Sequence, residues 1–162
     1  MNDKLGEAIQ LRASGNTEAS RNILLRLVSD HPNDPEILYQ CAWTHDAMGL
    51  EREAIGFYDR AIEQGLKGDD LAGAYLGLGS TLRGLGEYAR ALDVLQRGIT
   101  EFPKKNSIRI FFAMALYNAQ RSKEAVSELL KIVAETSSDK DVTNFNRAIL
   151  LYAQDLDRIW ER

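Results

Sequence analysis

Apolar residues along this chain recur at helical spacing, in segments that alternate between two kinds. In the first kind, Leu38, Cys41, Ala42 and His45 fall at i, i+3, i+4 and i+7, one face of a helix. The same offsets return as Tyr75, Leu78, Gly79 and Leu82, and again as Arg109, Phe112, Ala113 and Leu116. In the second kind, Ala54, Tyr58, Ala61 and Ile62 match Ala91, Leu95, Gly98 and Ile99, which match Ala125, Leu129, Ile132 and Val133. An earlier, weaker copy reads Ser20, Leu24, Leu27 and Val28. The third slot of the first kind always holds a small residue (Ala42, Gly79, Ala113), as two helices crossing closely require. The pattern predicts an all-α chain of paired helices.

Turn residues set the period. Gly15, Gly49 and Gly86 stand between the two helices of a pair, 34 and then 37 residues apart, and Pro32 and Pro103 follow Gly15 and Gly86 by 17 residues. Asp34-Pro35 reads as an N-cap followed by a proline at the first helical position. A fixed period of this length predicts a stack of helix pairs. The chain divides into repeats at 1–34, 35–68, 72–105 and 106–139 within one domain spanning 1–162, with Asp69-Asp70-Leu71 inserted between the second and third. Residues 140–162 fit one more first helix with the stripe Phe145, Ala148, Ile149 and Tyr152, extended by Leu156 and Ile159, capping the stack.

The order of bulky, Leu-like, small and bulky residues, turn glycine, alanine, aromatic, alanine and proline resembles the tetratricopeptide repeat. Residues 72–105 are the fullest copy: Tyr75, Leu78, Gly79, Leu82, Gly86, Tyr88, Ala91, Leu95, Gly98 and Pro103. Leu66 and Ser137 stand where the proline is expected, and Gln120 where the glycine is. The resemblance covers 1–139 and implies a right-handed α-α superhelix, a solenoid whose role is to bind proteins.

Composition fits that expectation. Apolar residues make up 44% and charged residues 27% of 162, with a net charge of −4, which argues against a nucleic-acid partner. No apolar run approaches the roughly 18 residues of a membrane span, and the N-terminus shows no apolar leader. The single cysteine, Cys41, allows no internal disulfide and suits a reducing compartment, so a cytoplasmic location is expected.

Cys41 and His45 lie four apart, a spacing a thiol–imidazole dyad or a pair of metal ligands could use. Both occupy core slots of the repeat, which favours packing, and His31 before Pro32 belongs to an exposed turn. Asp69-Asp70 and Glu51/Glu53 sit at loops or helix starts, and near a helix N-terminus carboxylates favour the macrodipole. The glycines from Gly77 to Gly86 lie in a helical hairpin, out of context for a phosphate loop. No enzyme, cofactor or metal is expected.

In tetratricopeptide proteins the positions one step off the core stripe of each first helix line a concave groove that contacts extended peptides. Carried over, these are Leu5, Ile9 and Arg12; Tyr39, Trp43 and Asp46; Leu76, Ser80 and Arg83; and Ile110, Met114 and Tyr117. Aromatic, Met and Arg residues are the types enriched at interface hot spots. The clamp by which some members hold acidic chaperone tails needs Lys, Asn and Arg; Leu5, Ile9, Gln40, Gly73 and Gly77 stand there instead. A peptide or protein partner in the groove is the leading expectation. The alternative is a structural repeat protein that forms homo-oligomers through its terminal helices, on Leu150, Leu151 and Trp160.

Overall fold

The computed structural model describes residues 2–159. Every regular element among them is helical: α1 (Asn2–Ala13), α2 (Thr17–Asp30), α3 (Pro35–Ala47), α4 (Glu51–Glu63), α5 (Gly68–Gly84), α6 (Tyr88–Glu101), α7 (Asn106–Asn118), α8 (Ser122–Thr136), α9 (Lys140–Thr143) and α10 (Asn146–Tyr152). None of these helices is long and apolar enough to cross a membrane.

The turns explain the spacing. Gly15, Gly49 and Gly86 adopt φ values of 86°, 72° and 80°, a left-handed conformation that costs a residue with a Cβ about 1–2 kcal/mol. That geometry lets the next amide reach back over the helix end. Asn16 N–H donates to Leu11 O at 2.8 Å, Leu50 to His45 O at 2.9 Å, and Glu87 to Leu82 O at 2.9 Å. In the fourth turn Gln120 takes the same conformation at φ 63°, and Arg121 N–H donates to Leu116 O at 2.9 Å. Helix α3 starts as its sequence suggests: Asp34 Oδ1 accepts from Glu36 N–H at 3.0 Å and Ile37 N–H at 3.1 Å, with Pro35 the first helical residue.

The inserted triplet is helical. Helix α5 begins at Gly68 and runs 17 residues, so Asp69 and Asp70 fall in its first turn, where the macrodipole favours them, and Leu71 is buried. Leu66, in the expected proline position, is also buried.

Contacts divide the chain into two compact units, 1–87 and 88–162, the boundary falling just after the third turn. In the first, α1 packs on α2, α2 on α3, α3 on α4, and α4 on α5, with α3 also against α1 and α5. Leu5, Ala8, Leu24, Leu27, Ile37 and Cys41 form one buried cluster there. In the second unit α7 packs on α6 and α8, around Ala113, Leu116 and Ala125. Arg109, in a bulky slot of the repeat, holds Glu128 at 2.6 Å and also pairs with Glu135, an ionic link from α7 to α8.

The C-terminal segment departs from the expected single capping helix. Asn144 and Phe145 break it into the four-residue α9 and the seven-residue α10. Phe145, Tyr152, Leu156 and Ile159, all on the expected buried stripe, are exposed. The residue that seats α10 on α8 is Ala153, whose carbonyl accepts from Ser127 Oγ at 2.5 Å. Trp160 lies outside the described residues. Consequently α8 keeps an open apolar side. Leu129 is 41% exposed and Val133 44%, although Leu95 in the slot equivalent to Leu129 is 0% exposed.

Gln120 is the one described non-glycine residue with positive φ. Gln120→Gly is expected to stabilise the protein by about 1 kcal/mol, raising the thermal midpoint by about 2–4 °C. A melting curve checks this; an unchanged or lower midpoint would show that the turn is not strained.

Candidate functional site

Within the first unit, α1, α3 and α5 lie side by side, and their polar bonds organise one face. Arg12 reaches from α1 across α3: Nη1 donates to Gln40 O and Thr44 Oγ1, both at 3.1 Å, and Nη2 donates to Gln40 Oε1 at 2.6 Å. Thr44 Oγ1 in turn donates to Gln40 O at 2.9 Å and lies 3.4 Å from Ser20 Oγ of α2. Buried hydroxyl and amide groups are tolerated because they are satisfied in this way.

The plane of Arg12 covers Trp43, its Cζ 4.0 Å from the ring centroid, a cation–π arrangement. Trp43 packs beside Tyr39 (centroids 5.9 Å apart), and Tyr39 beside Tyr58 of α4 (6.3 Å). Trp43 is 47% exposed, while Tyr39 and Tyr58 are buried. The result is a rigid tryptophan platform with one face fixed by a cation and its flank by a tyrosine.

Asp46 closes the other side. Its Oδ1 lies 2.9 Å from Thr81 Oγ1 of α5, and its Oδ2 accepts from Tyr58 OH at 3.4 Å. Burial raises the Asp46 pKa, and the Thr81 and Tyr58 hydrogen bonds act against that rise. Burial pushes the Tyr39 phenol up to about 12 and Tyr58 higher still, so both are neutral at physiological pH.

Two glycines make room for this arrangement. A Cβ at Gly73 would stand 2.2 Å from Tyr39 OH, and one at Gly77 would stand 2.3 Å from Tyr58 OH and 2.6 Å from its Cζ. Both tyrosines end against bare backbone of α5. This pairing of small residues on one helix with aromatic hydroxyls on its neighbours escapes a reading of single stripes; its signal is the four-residue spacing of Gly73 and Gly77.

The twelve residues expected in the groove do not share one fate. Leu5 is a core residue, enclosed by Ala8, Leu24, Leu27, Ile37 and Cys41, and Ile9 packs against the same cluster. Tyr39 is buried as well. Both Leu5 and Tyr39 occupy the first off-stripe position, which the adjoining first helix covers. Arg12, Trp43 and Asp46 come together as described. Leu76, Ser80 and Arg83 are half-buried on α5. In the second unit Ile110 is half-buried, whereas Met114 and Tyr117 are exposed along α7.

Cys41 and His45 are both buried. His45 Nδ1 lies 2.7 Å from Cys41 O, and Nε2 accepts from Arg21 Nε at 3.1 Å, so the ring is held as the Nδ1–H tautomer. Burial pushes the Cys41 thiol up to about 12, which keeps it protonated and a poor nucleophile. This pair packs the core, as its place in the repeat suggested.

The family model for the tetratrico peptide repeat matches residues 35–156. The chain belongs to the tetratricopeptide repeat family. Among solved structures, this tetratricopeptide repeat protein is similar to YrrB, described as a TPR protein with an unusual peptide-binding site. The identity is 20%, the TM-score 0.73, and the match covers 96% of this chain and 77% of that one. It is also similar to residues 41 to the end of MamA from Desulfovibrio magneticus RS-1, with 17% identity, a TM-score of 0.69, and coverage of 97% and 94%. A MamA RS-1 double mutant matches at 18% and 0.67, covering 96% and 98%. No curated protein matches the chain in sequence. The structural likenesses show the fold, an α-α solenoid, and the family is a protein-interaction fold.

Gly77→Ala is expected to destabilise this tetratricopeptide protein by about 1–3 kcal/mol through overpacking against the buried Tyr58 ring. A melting curve checks it; a midpoint within about 1 °C of wild type would show that α5 does not depend on the bare backbone.

Proposed function

We propose that the protein is a non-enzymatic interaction module that holds an extended peptide or partner segment on the face of its first helices, with Trp43 as the main anchor. The observation that carries this reading is Trp43 itself, 47% exposed yet fixed between Arg12 and Tyr39. An aromatic side chain held in place before binding loses little entropy on contact, which is the property of an interface hot spot. Asp46, Leu76, Ser80 and Arg83 extend the face within the first unit; in the second unit, taken by itself, Met114 and Tyr117 are exposed on α7 beside the half-buried Ile110. YrrB, of the same fold, has a peptide-binding site, which supports the same class of partner here.

Panning a displayed peptide library on the immobilised protein tests the reading. Enriched peptides are expected to bind wild type at least about tenfold more tightly than Trp43→Ala, about 1.4 kcal/mol, with the variant's melting midpoint nearly unchanged. The proposal fails if nothing is enriched, or if Trp43→Ala binds the same peptides equally well.

A second reading is self-association, favoured by the open side of α8. Leu129 and Val133 occupy slots that repeat stacking covers elsewhere, and Leu150 and Leu151 of α10 are exposed in the same unit. On this reading the protein sediments above its monomer mass at high concentration, and Leu129→Glu with Val133→Glu returns it to monomer. Wild type sedimenting as a monomer throughout the concentration range would remove it.

A further inference from the structure

Among the described residues, Arg12 is a cation without a counter-ion. It is half-buried, and its three hydrogen bonds all go to neutral acceptors, the two oxygens of Gln40 and the hydroxyl of Thr44. Burial lowers its pKa, and the groups that bear on its charge are Tyr39 and Tyr58, both neutral at physiological pH. Among the described residues no carboxylate forms an ion pair with it. A guanidinium stays charged under these conditions, so part of its hydration has been exchanged for neutral dipoles and the Trp43 ring.

Its remaining donors have a direction. Nη1 is committed to Gln40 O and Thr44 Oγ1, and Nη2 makes one bond, to Gln40 Oε1. Nε–H and the second Nη2–H make no bond to a described residue. An acceptor with two oxygens on one carbon matches two such donors, and Arg–carboxylate pairing of this fork-like kind is short and strong. Beside these donors lies the exposed part of Trp43, which offers contact to an apolar side chain.

The opposite flank selects against the same charge. Asp46 sits one helical turn beyond Trp43 and is tied to Thr81 of α5, whereas Arg12 comes from α1. An acidic group is attracted by Arg12 at the α1 side of Trp43 and repelled by Asp46 one turn further along α3.

We propose that Arg12 and Trp43 form an anchor for an acidic–apolar motif in the partner peptide. The side-chain carboxylate of an Asp or Glu accepts from Arg12 Nε and Nη2, and a neighbouring apolar residue lies on Trp43. This rests on the peptide-binding reading above and names the chemistry of its partner.

The test uses the full chain and peptides taken from the library panning, with affinities measured by calorimetry for wild type, Arg12→Gln and Arg12→Lys. The enriched peptides are expected to carry Asp or Glu beside an apolar residue. Replacing that acid by its amide is expected to weaken wild-type binding about tenfold and Arg12→Gln binding less than about twofold. Arg12→Lys keeps the charge without the paired donors, so its acid-to-amide loss is expected to fall to about threefold. Amidating the peptide C-terminus is expected to change none of these values.

Peptides that bind but are indifferent to the amide replacement overturn the anchor and leave the groove reading standing. Equal losses in wild type and Arg12→Gln overturn it too, as does a dependence on the free C-terminus. If Arg12→Gln does not fold, an undiminished tenfold loss in Arg12→Lys overturns the paired-donor geometry. Failure of every peptide to bind removes both readings together.

Discussion

The close approach of α5 to α3 and α4 governs the first unit, and it depends on two absent side chains. Tyr39 and Tyr58 end against the backbone at Gly73 and Gly77, where a Cβ would stand 2.2 and 2.3 Å from their hydroxyls. Glycine inside a helix costs roughly 0.5–1 kcal/mol each relative to alanine. Here that cost is offset by burying two phenol rings, which carry large apolar areas. Everything on the exposed face follows from it. Tyr39 fixes the flank of Trp43, Trp43 supports Arg12, and Tyr58 reaches Asp46.

The space between the first helices is correspondingly polar. Ser20, Gln40, Thr44 and Thr81 are buried, and each is hydrogen-bonded to a neighbouring helix or to its own. Such groups contribute little net stability but cost about 1–3 kcal/mol each when left unpaired. They therefore act on register. A shift of α3 against α1 by one residue would break the three Arg12 bonds together, whereas an apolar contact would tolerate it. This is a physical reason for the platform to be fixed before any partner arrives.

How much of this the chain discloses depends on which physical rule wrote it. The helix pairs are legible because turn and core slots repeat independently of one another: Gly49 marks the turn while Leu38, Cys41, Ala42 and His45 mark the face. Cys41 and His45 read as packing for the same reason, and their burial agrees. The candidate face was legible only in part. The family resemblance puts Leu5 and Tyr39 in the groove, but the adjoining first helix covers that step, a tertiary effect no single-helix stripe contains. The inserted Asp69-Asp70-Leu71 is legible as an insertion but not as helix, because spacing alone cannot distinguish an added loop from an added helical turn; the structure makes it part of the first turn of α5. The C-terminal stripe failed because Asn144 and Phe145 interrupt a helix that apolar spacing alone would continue.

Departures from the repeat concentrate in the second unit, and they share a consequence. The turn of α7 and α8 holds Gln120 in a conformation that favours glycine, Arg109 replaces a bulky core residue, and Leu129 and Val133 face outward. Arg109 restores part of the lost packing through Glu128 and Glu135. Its side chain is only 11% exposed, so its link to Glu128 is screened less than a surface pair. An ionic link fixes geometry but contributes less than the apolar contact it replaces. Local stability follows buried apolar contact, so α7, α8 and α10 should open at lower free energy than α3, α4 and α5. A rigid face in the first unit and a looser one in the second are then two results of one rule: where the repeat keeps its small and apolar slots, its surface is held in place.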